Sequence, residues 1–478
     1  MFEFTSIEQY HAQLQKGNVS CLQAVEHYLQ RIQASQHLNA FIEVYAEEAK
    51  EKARQLDENR KTGRAPGALH GVVIGLKDVI CYQDHKISAS SNILQNFTSV
   101  YSATAVERLL AAEVIIIGNL NCDEFAMGST NENSSYGKVL NALDETRVPG
   151  GSSGGSAVAV QAGLCMASLG SDTGGSVRQP ADFCGVIGLK PSYGRISRYG
   201  LIAYASSFDQ IGIFGTTVAD IARLLEVMAG ADEYDSTVSQ KKVPAYSTSL
   251  STDKKFRFAY FEDALDHPGI DPEIAAAIKQ RIVQLQKEGH TVTPVQFGLL
   301  DYIVPAYYVL TTAEASSNLS RFDGVKYGYR TSTPGVELTA FYKETRSAGF
   351  GKEVKRRIML GTFVLSAGYC DAYFTRAQKV RKILTEKTQL IFNEFDFILL
   401  PTSPVTAFKA GEKMDDPIAM YLADIYTVMA NLVGIPAISL PLFTHSNGLP
   451  FSLQVMANRF DEVSLLQVST LILGEKMF

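Results

Sequence analysis

The chain has 478 residues, of which 46% are apolar and 20% charged, a composition typical of a globular protein with a large hydrophobic core. Its formal net charge of −6 argues against a protein that binds nucleic acid on its own, because phosphate binding needs a basic surface. No run of eighteen apolar residues is present, and the first residues lack the basic and apolar regions of a signal peptide, so we expect a cytoplasmic protein without membrane contact.

The first 65 residues are predicted to form a helical wrap. A helix begins after Ser20, a favourable N-cap residue, because apolar side chains then recur at helical spacing. Residues 47–61 are highly charged and predict a surface helix that ends near Gly63.

The pattern changes after Pro66. Residues 71–76 and 114–120 are short, β-branched apolar runs typical of buried strands, and residues 103–112 between them have helical character. This strand–helix–strand order predicts parallel strands within one sheet.

The remaining elements continue this alternation, with one long helical stretch. Residues 302–394 are rich in helix formers and are interpreted as a helical insertion. Further helices are predicted at residues 156–162, 218–228 and 272–287, and further strands at residues 256–261, 290–295, 397–402, 435–442 and 451–456. We therefore expect residues 1–478 to form a single large α/β domain whose central mixed sheet is flanked by helices on both faces.

The six cysteines occur singly, with no Cys-x-x-Cys pair. Buried, reduced thiols are the simplest interpretation, a disulfide framework or a zinc site being the alternatives, and we expect no metal in this chain. The six positions are Cys21, Cys81, Cys122, Cys165, Cys184 and Cys370.

Residues 149–176 contain eight glycines and six serines, and this window is the strongest chemical signal in the sequence. Glycine allows close approach of the backbone to a substrate, and serine supplies a nucleophilic hydroxyl, so the window predicts a serine-based active site lined by main-chain N–H groups.

Residues 150–154 fit the Gly-x-Ser-x-Gly elbow of α/β-hydrolases, but the residues before them are polar and no histidine stands in a suitable downstream setting. Neither nucleotide-binding glycine pattern occurs, which argues against a phosphate loop.

A lysine offers a third kind of chemistry. Lys77 stands at the carboxyl end of the predicted strand 71–76, where ligands of open α/β sheets bind. Burial lowers the pKa of a lysine and lets the neutral amine accept a proton, although a solvated lysine at a strand end fits the same local pattern. As a base, Lys77 needs a hydroxyl chain to the nucleophile, which Ser152 and Ser176 can supply.

Three segments together resemble the amidase signature family: GLKD at residues 75–78, PGGSSGGSAVAV at 149–160 and GSDTGGSVRQPADFCGVIGLKPSYGR at 170–195. The resemblance implies a Ser–cis-Ser–Lys triad, in which Ser176 is the nucleophile, Ser152 the relay that follows a cis peptide, and Lys77 the base. It also implies that the backbone N–H groups of Thr173, Gly174, Gly175 and Ser176 form the oxyanion hole. Fixed donors of this kind are usually the largest catalytic contribution.

Within that family, further segments are similar to the A subunits of tRNA-dependent amidotransferases, among them DEFAMGS at residues 123–129 and ASSNLSRFDGVKYGYR at 315–330. The resemblance implies a glutaminase that passes ammonia to a B subunit, which uses ATP and Mg to convert Glu-tRNA(Gln) to Gln-tRNA(Gln). A small C subunit would complete a heterotrimer, and no cofactor is expected in this chain. A stand-alone amidase of the same family is the alternative, and a glycine-loop nucleotide-binding module a more distant one.

The resemblance also implies a substrate site. Free glutamine carries a carboxylate and an ammonium, which call for one cation and one anion. Arg357 matches the carboxylate-binding arginine, Asp424 an aspartate for the ammonium and Tyr307 a pocket tyrosine, while Met127 and Gly128 belong to a loop expected to border the pocket. Without the resemblance, Arg357 fits a solvated basic helix face and Asp424 an ordinary surface carboxylate.

Two positions depart from the family pattern. Asn141-Ala142 and Gly212-Ile213 stand where members commonly have Asn-Pro and Gly-Pro. Neither position belongs to the triad, and we expect both to affect loops at a partner surface.

Overall fold

A mixed sheet of eleven strands organises the computed structural model, which describes residues 2–412 and 423–474. Its strand order is β1-β3-β2-β4-β6-β5-β10-β11-β9-β7-β8. The strands are β1 (Phe41–Val44), β2 (Val73–Lys77), β3 (Ile115–Leu120), β4 (Ala167–Asp172), β5 (Ile187–Lys190), β6 (Gln210–Gly215), β7 (Arg257–Phe261), β8 (Thr291–Val295), β9 (Phe397–Pro401), β10 (Ala437–Thr444) and β11 (Pro450–Ala457).

Fifteen α-helices accompany the sheet within the described ranges, and they confirm the predicted α/β class. They are α1 (Ile7–Gln15), α2 (Cys21–Ala34), α3 (Ala46–Lys61), α4 (Thr104–Ala111), α5 (Gly154–Gln161), α6 (Arg178–Cys184), α7 (Val218–Met228), α8 (Glu262–Leu265), α9 (Pro272–Lys287), α10 (Leu300–Asn318), α11 (Leu338–Gly349), α12 (Lys352–Val364), α13 (Arg376–Glu394), α14 (Val428–Val433) and α15 (Glu462–Leu473). In the part of the chain that the structure describes, no helix is both long and apolar enough to cross a membrane.

The predicted strand–helix–strand unit is present as β2, α4 and β3. β2 pairs in parallel with β3 on one side and with β4 on the other. Every residue of β2 and β3 is buried, because the strands lie inside a sheet that is covered on both faces. The parallel arrangement aims the carboxyl ends of β2 and β4 at the same edge.

Four strands were not predicted: β1, β4, β5 and β6. The prediction of an all-helical first 65 residues is wrong at β1, which pairs antiparallel with β3 at the sheet edge. β4 has the serine- and glycine-rich sequence ASLGSD, whose residues have low strand propensity. Tertiary packing decides its conformation: a Cβ on Gly170 would lie 2.7 Å from the Phe214 ring, so a small residue lets the neighbouring elements approach.

Residues between β8 and β9 form α10 to α13, with no strand among them. α10 packs against α12 and α13, and the same helix packs against α14 near the carboxyl end of β4. α10 and α12 therefore carry side chains such as Tyr307 and Arg357 toward the central sheet.

The expectation that both departures from the family pattern affect loops is wrong for Gly212-Ile213. It stays a prediction for Asn141-Ala142, which lies outside any helix or strand. Gly212 and Ile213 belong to β6, a fully buried strand between β4 and β5. The Asn141 side chain is also buried and donates to the carbonyl oxygens of Val148 and Phe183. All six cysteines are free thiols, and five of them are buried.

Candidate active site

Lys77 is the last residue of β2, and its side chain is fully buried. Its Nζ contacts three serine hydroxyls, at 2.7 Å for Ser152, 2.8 Å for Ser153 and 2.9 Å for Ser171. Because Lys77 is enclosed and its Nζ contacts protein hydroxyls, the interpretation of Lys77 as a solvated lysine at a strand end is wrong.

Burial lowers the pKa of Lys77 to about 8, because an ammonium loses its hydration inside the protein. Asp123, Asp172 and Asp209 oppose this shift through their negative charges. The three side chains that hydrogen-bond to Nζ are neutral hydroxyls, so none of them supplies a counter-charge. A sizeable fraction of the lysine is therefore a neutral amine near physiological pH.

Ser152 lies in the turn before α5, and the Gly151–Ser152 peptide bond is cis. The carbonyl oxygen of Ser152 accepts from the Asp123 N–H at 3.0 Å. A Cβ on Gly151 would lie 2.1 Å from Asp123 Oδ2, so only glycine fits beside Ser152. The Ser153 N–H donates to the Ser176 carbonyl oxygen at 3.2 Å, which brings the two glycine–serine clusters together.

Ser176 lies between β4 and α6, at the carboxyl edge of the sheet. It retains 8% of its exposure, whereas Lys77 and Ser152 retain none, so it is the most accessible member of the predicted triad. Within residues 2–412 and 423–474 its hydroxyl has no hydrogen-bond partner, and the transfer from Ser176 to Ser152 therefore stays a prediction.

Residues 173–176 form a tight turn, called here the oxyanion turn. A Cβ on Gly174 would lie 2.5 Å from the Tyr307 hydroxyl oxygen, and one on Gly175, where φ is +133°, would lie 2.2 Å from Thr427 Oγ1. The Thr427 hydroxyl also donates to the Gly174 carbonyl oxygen at 2.7 Å. Both glycines are required because the backbone passes directly under these side chains.

The structure corrects one of the predicted oxyanion donors. The Gly175 N–H donates to Asp172 Oδ1 at 2.9 Å, so it already has a buried acceptor. The N–H groups of Thr173, Gly174 and Ser176 are left as the candidate donors of this turn.

Asp172 anchors the turn from below. Its carboxylate accepts from Arg178 Nη2 at 3.0 Å and Nε at 3.1 Å, and both side chains are fully buried. Asn431 Nδ2 adds a third side-chain donor at 2.9 Å. Burial alone raises the pKa of Asp172, but the Arg178 charge outweighs it and brings the pKa to about 2.

The predicted substrate residues Arg357 and Asp424 lie close together and are both buried, at 3% and 7% exposure. Arg357 Nη1 donates to the Tyr204 hydroxyl at 2.9 Å, and its Nε donates to Glu353 at 2.9 Å. The Asp424 carboxylate accepts from Ser129 at 2.9 Å and from Tyr308 at 3.3 Å. The alternatives of a solvated basic face and a surface carboxylate are therefore wrong for these two residues.

Tyr308 joins the two charges. The Arg357 guanidinium carbon lies 5.3 Å from the centre of its ring, while its hydroxyl donates to Asp424. Burial raises the pKa of Asp424 to about 7, and the nearby Arg357 charge lowers it in part. The hydrogen bonds that Asp424 accepts come from neutral hydroxyls, and Arg357 offsets only part of the cost of burying its charge.

The other predicted pocket residues, Met127 and Gly128, follow the Asp123 turn. Met127 is fully buried, and its carbonyl oxygen accepts from Asn133 at 2.8 Å. A Cβ on Gly128 would lie 2.3 Å from the Asp123 carboxyl carbon. The next residue, Ser129, reaches Asp424, so this segment runs from the lysine site to the substrate site.

The family model named Amidase matches residues 23–466 of this chain. The chain belongs to the amidase family. Its relatives include the A subunit of the glutamyl-tRNA(Gln) amidotransferase of Chlorobium phaeobacteroides, 47% identical over 478 residues and 98% of each chain. The corresponding protein of Chlorobaculum tepidum is 48% identical over 474 residues, 98% of this chain and 97% of its own.

Solved structures of amidase-family proteins show the same architecture. The A subunit of the glutamyl-tRNA(Gln) amidotransferase of Thermotoga maritima is 38% identical, with a TM-score of 0.78 over 98% of this chain and 94% of that one. The peptide amidase of Stenotrophomonas maltophilia is 28% identical, with a TM-score of 0.81 over 98% and 96%. Proteins with different names thus share the fold of this chain.

Several side chains of this amidase site were not predicted from the sequence, including Asp172, Arg178 and Thr427 under the oxyanion turn. Ser153 and Ser171 contact Lys77, and both stand in the glycine–serine window, so their position there was the available signal. Tyr308 and Ser129 are neighbours of the predicted Tyr307 and Gly128. Tyr204 lies within residues 197–212, a segment that is similar to the amidotransferase A subunits, but nothing in the sequence indicates that its hydroxyl contacts Arg357.

Replacing Asp172 with asparagine is expected to lower the free energy of unfolding by about 3–5 kcal/mol, because it leaves the buried Arg178 charge without its partner. The pKa of Asp172 is depressed to about 2 in the folded chain. The ionised carboxylate therefore stabilises the fold fully at pH values above the ordinary pKa of an aspartate, and this stabilisation is lost as the pH falls toward 2. Urea unfolding at several pH values measures the free energy of unfolding of the variant and of the unmodified chain. The difference between the two should become smaller in acid. Asp266→Asn breaks an exposed pair with Lys279 and should change stability by only about 0.5 kcal/mol.

Proposed function

We propose that this chain is the glutaminase component of a tRNA-dependent amidotransferase and hydrolyses glutamine to glutamate and ammonia. The observation that carries the proposal is the buried pair of Arg357 and Asp424 next to the oxyanion turn. A free α-amino acid presents a carboxylate and an ammonium together, whereas a simple amide or an internal peptide residue does not.

In the proposed first step the neutral amine of Lys77 accepts the Ser152 hydroxyl proton, and Ser152 accepts the proton of Ser176. The Ser176 oxygen then attacks the carbon of the glutamine side-chain amide. The 2.7 Å contact between Lys77 and Ser152 supports the first transfer.

The carbonyl oxygen becomes an oxyanion as the Ser176–carbon bond forms. The N–H groups of Thr173, Gly174 and Ser176 are the donors we assign to it. When the tetrahedral intermediate collapses, the carbon–nitrogen bond breaks, and the proton held by Lys77 returns through Ser152 to the leaving nitrogen, which departs as ammonia.

Water completes the reaction. It gives one proton to the same relay while its oxygen attacks the γ-glutamyl ester, and the relay returns that proton to Ser176 as the ester bond breaks. The products are glutamate, ammonia and the regenerated serine, and no cofactor in this chain takes part.

The ammonia would pass to partners in the cytoplasm. The relatives from Chlorobium and Chlorobaculum are named as A subunits, and we propose a heterotrimer with B and C subunits. In that complex the B subunit would use ATP and Mg to activate Glu-tRNA(Gln), contacting the tRNA in place of this acidic chain.

The test is to purify the full-length chain alone and with co-expressed B and C subunits, and to measure ammonia release from glutamine. We expect the three chains to co-purify and the complex to hydrolyse glutamine. Hydrolysis of simple amides by the chain without partners, together with no activity on glutamine, would instead identify a stand-alone amidase.

Replacing Arg357 with alanine is expected to raise the KM for glutamine by about 100-fold while kcat changes much less, because a charged hydrogen bond to the substrate is lost in both the ground and transition states. Steady-state kinetics measure the effect. Lys355→Ala is the control, since Lys355 on the same helix donates to the Ser347 carbonyl oxygen instead. An unchanged KM in the Arg357 variant would remove this residue from the pocket.

A further inference from the structure

Asp209 is a buried carboxylate that lies just before β6, and the proposed chemical steps do not use it. Its Oδ1 accepts from the Thr173 hydroxyl at 2.7 Å and from the Ala205 N–H at 3.1 Å. Its Oδ2 accepts from the Tyr204 N–H at 2.9 Å. One side chain thus ties the oxyanion turn to the segment that carries Tyr204.

Tyr204 continues this connection to the substrate side. Its hydroxyl accepts from Arg357 Nη1 at 2.9 Å and donates to Thr311 at 3.0 Å. Its carbonyl oxygen accepts from Asn318 at 3.1 Å, and its side chain is 1% exposed. Tyr204 is therefore fixed at both ends and cannot shift independently of Arg357.

We propose that Asp209 is a positioning residue, which fixes the distance between the oxyanion turn and Arg357 and thereby selects glutamine over asparagine by length. The proposal rests on the proposed function, since it takes Arg357 as the ligand of the substrate carboxylate. The connection runs from Thr173 through Asp209 and Tyr204 to Arg357, and each link is a hydrogen bond between buried groups.

The length argument follows from the substrates. Asparagine is shorter than glutamine by one methylene, roughly one C–C bond of about 1.5 Å. With its carboxylate on Arg357, its amide carbon falls short of Ser176 and of the oxyanion donors. A misplacement of about 1 Å at the reacting atoms can cost about 100-fold in rate. If the distance between the oxyanion turn and Arg357 is fixed, the missing methylene of asparagine leaves its amide carbon misplaced by about this much. If that distance can change, the oxyanion turn and Arg357 can move together around the shorter substrate.

Both carboxylate oxygens contribute to the frame. Oδ1 joins the two sides, since it accepts from Thr173 and from Ala205, and Oδ2 holds the Tyr204 N–H. In Asp209→Asn one of the two positions becomes an amide NH₂ that faces a donor. At the Oδ2 position it loses the Tyr204 N–H, and at the Oδ1 position it loses Thr173 and Ala205, so either orientation loosens the connection to Tyr204. Thr173→Val removes the other partner of the same link and keeps the Thr173 backbone N–H.

The test measures kcat and KM for glutamine and for asparagine with the co-expressed complex, or with the full-length chain if that alone is active. Assays at about pH 8.5 keep the carboxylate ionised, because burial raises the pKa of Asp209 to about 7. Asp209→Asn should lower kcat for glutamine by about 10- to 100-fold and reduce the glutamine-to-asparagine ratio of kcat/KM at least about tenfold. Thr173→Val should shift the ratio in the same direction, and the double variant should add little, since both changes loosen the same connection between the oxyanion turn and Tyr204.

Asp220→Asn is the matched control. Asp220 is another buried aspartate with a raised pKa, about 6, and it accepts from the Ile7 N–H at 2.9 Å, where α1 begins. It should leave the substrate ratio unchanged. If Asp209→Asn lowers both activities in parallel with an unchanged ratio, Asp209 is only a structural residue and the inference is overturned. If the unmodified complex does not hydrolyse glutamine at all, it is the proposed function that fails.

Discussion

Replacing Ser176 with alanine is expected to abolish glutamine hydrolysis, with a loss of about 10⁵-fold or more in kcat, because no other group can form the acyl intermediate. The hydroxyl lies on the turn between β4 and α6 in a residue that keeps 8% of its exposure, while Ser152 and Lys77 are fully enclosed. Of the three predicted triad residues, Ser176 alone combines some exposure with a place in the oxyanion turn. Glutamine binding should persist, since Arg357 and Asp424 are untouched.

Intact-protein mass spectrometry after an acid quench measures the γ-glutamyl ester directly. The unmodified chain should carry one glutamyl adduct during turnover, and the Ser176 variant none. Ser446→Ala, in the exposed turn between β10 and β11, is the control for loss of a serine. An adduct that persists on Ser152 in the Ser176 variant would refute the assignment of the nucleophile.

Replacing Lys77 with methionine is expected to lower kcat by at least about 10³-fold without unfolding the chain. Methionine fills a similar volume and leaves no buried charge, although the three serines lose their shared partner. Lys190 provides the comparison, because it is equally buried but contacts the carbonyl oxygens of Pro191 and Ile435 and the side chain of Gln210. Lys190→Met should chiefly lower stability, which separates the loss of a buried amine from the loss of a base.

The pH dependence gives a second measurement on Lys77. Its neutral form is the base, and its pKa is about 8, so kcat should rise with pH through that region. Asp424, with a pKa of about 7, must be ionised to bind the substrate ammonium, and it acts in the same direction. Its effect should fall mainly on KM, so kcat at saturating glutamine isolates the lysine. Near-normal turnover by the Lys77 variant would contradict the relay.

Sequence patterns predicted the candidate catalytic residues better than the strands and turns that hold them. Lys77 could be predicted because a β-branched run ends there, and the family motifs placed Ser152 and Ser176. β4 could not be predicted, since its serine and glycine residues have low strand propensity. They form a strand because they are buried between β2 and β6 in the sheet.

The hydrogen bonds of the site were equally hidden. The pairing of the Gly175 N–H with Asp172 depends on how the turn closes over Arg178, which no spacing reports. Tyr204, Asp209 and Arg357 are brought together from separate segments by tertiary packing. Their identity as one connected unit is visible only in three dimensions.

The contacts of Lys77 also determine in which direction a proton can move. A neutral amine has two hydrogens and one lone pair, so two of its three serine neighbours receive hydrogens and the third must give one. Ser153 already donates its hydroxyl hydrogen to the Ser171 carbonyl oxygen at 3.2 Å, and it can only receive from the lysine. If Ser171 takes the second hydrogen, the lone pair is directed at Ser152. The two serines outside the triad would then act as hydrogen acceptors that orient the base toward its relay before any substrate arrives.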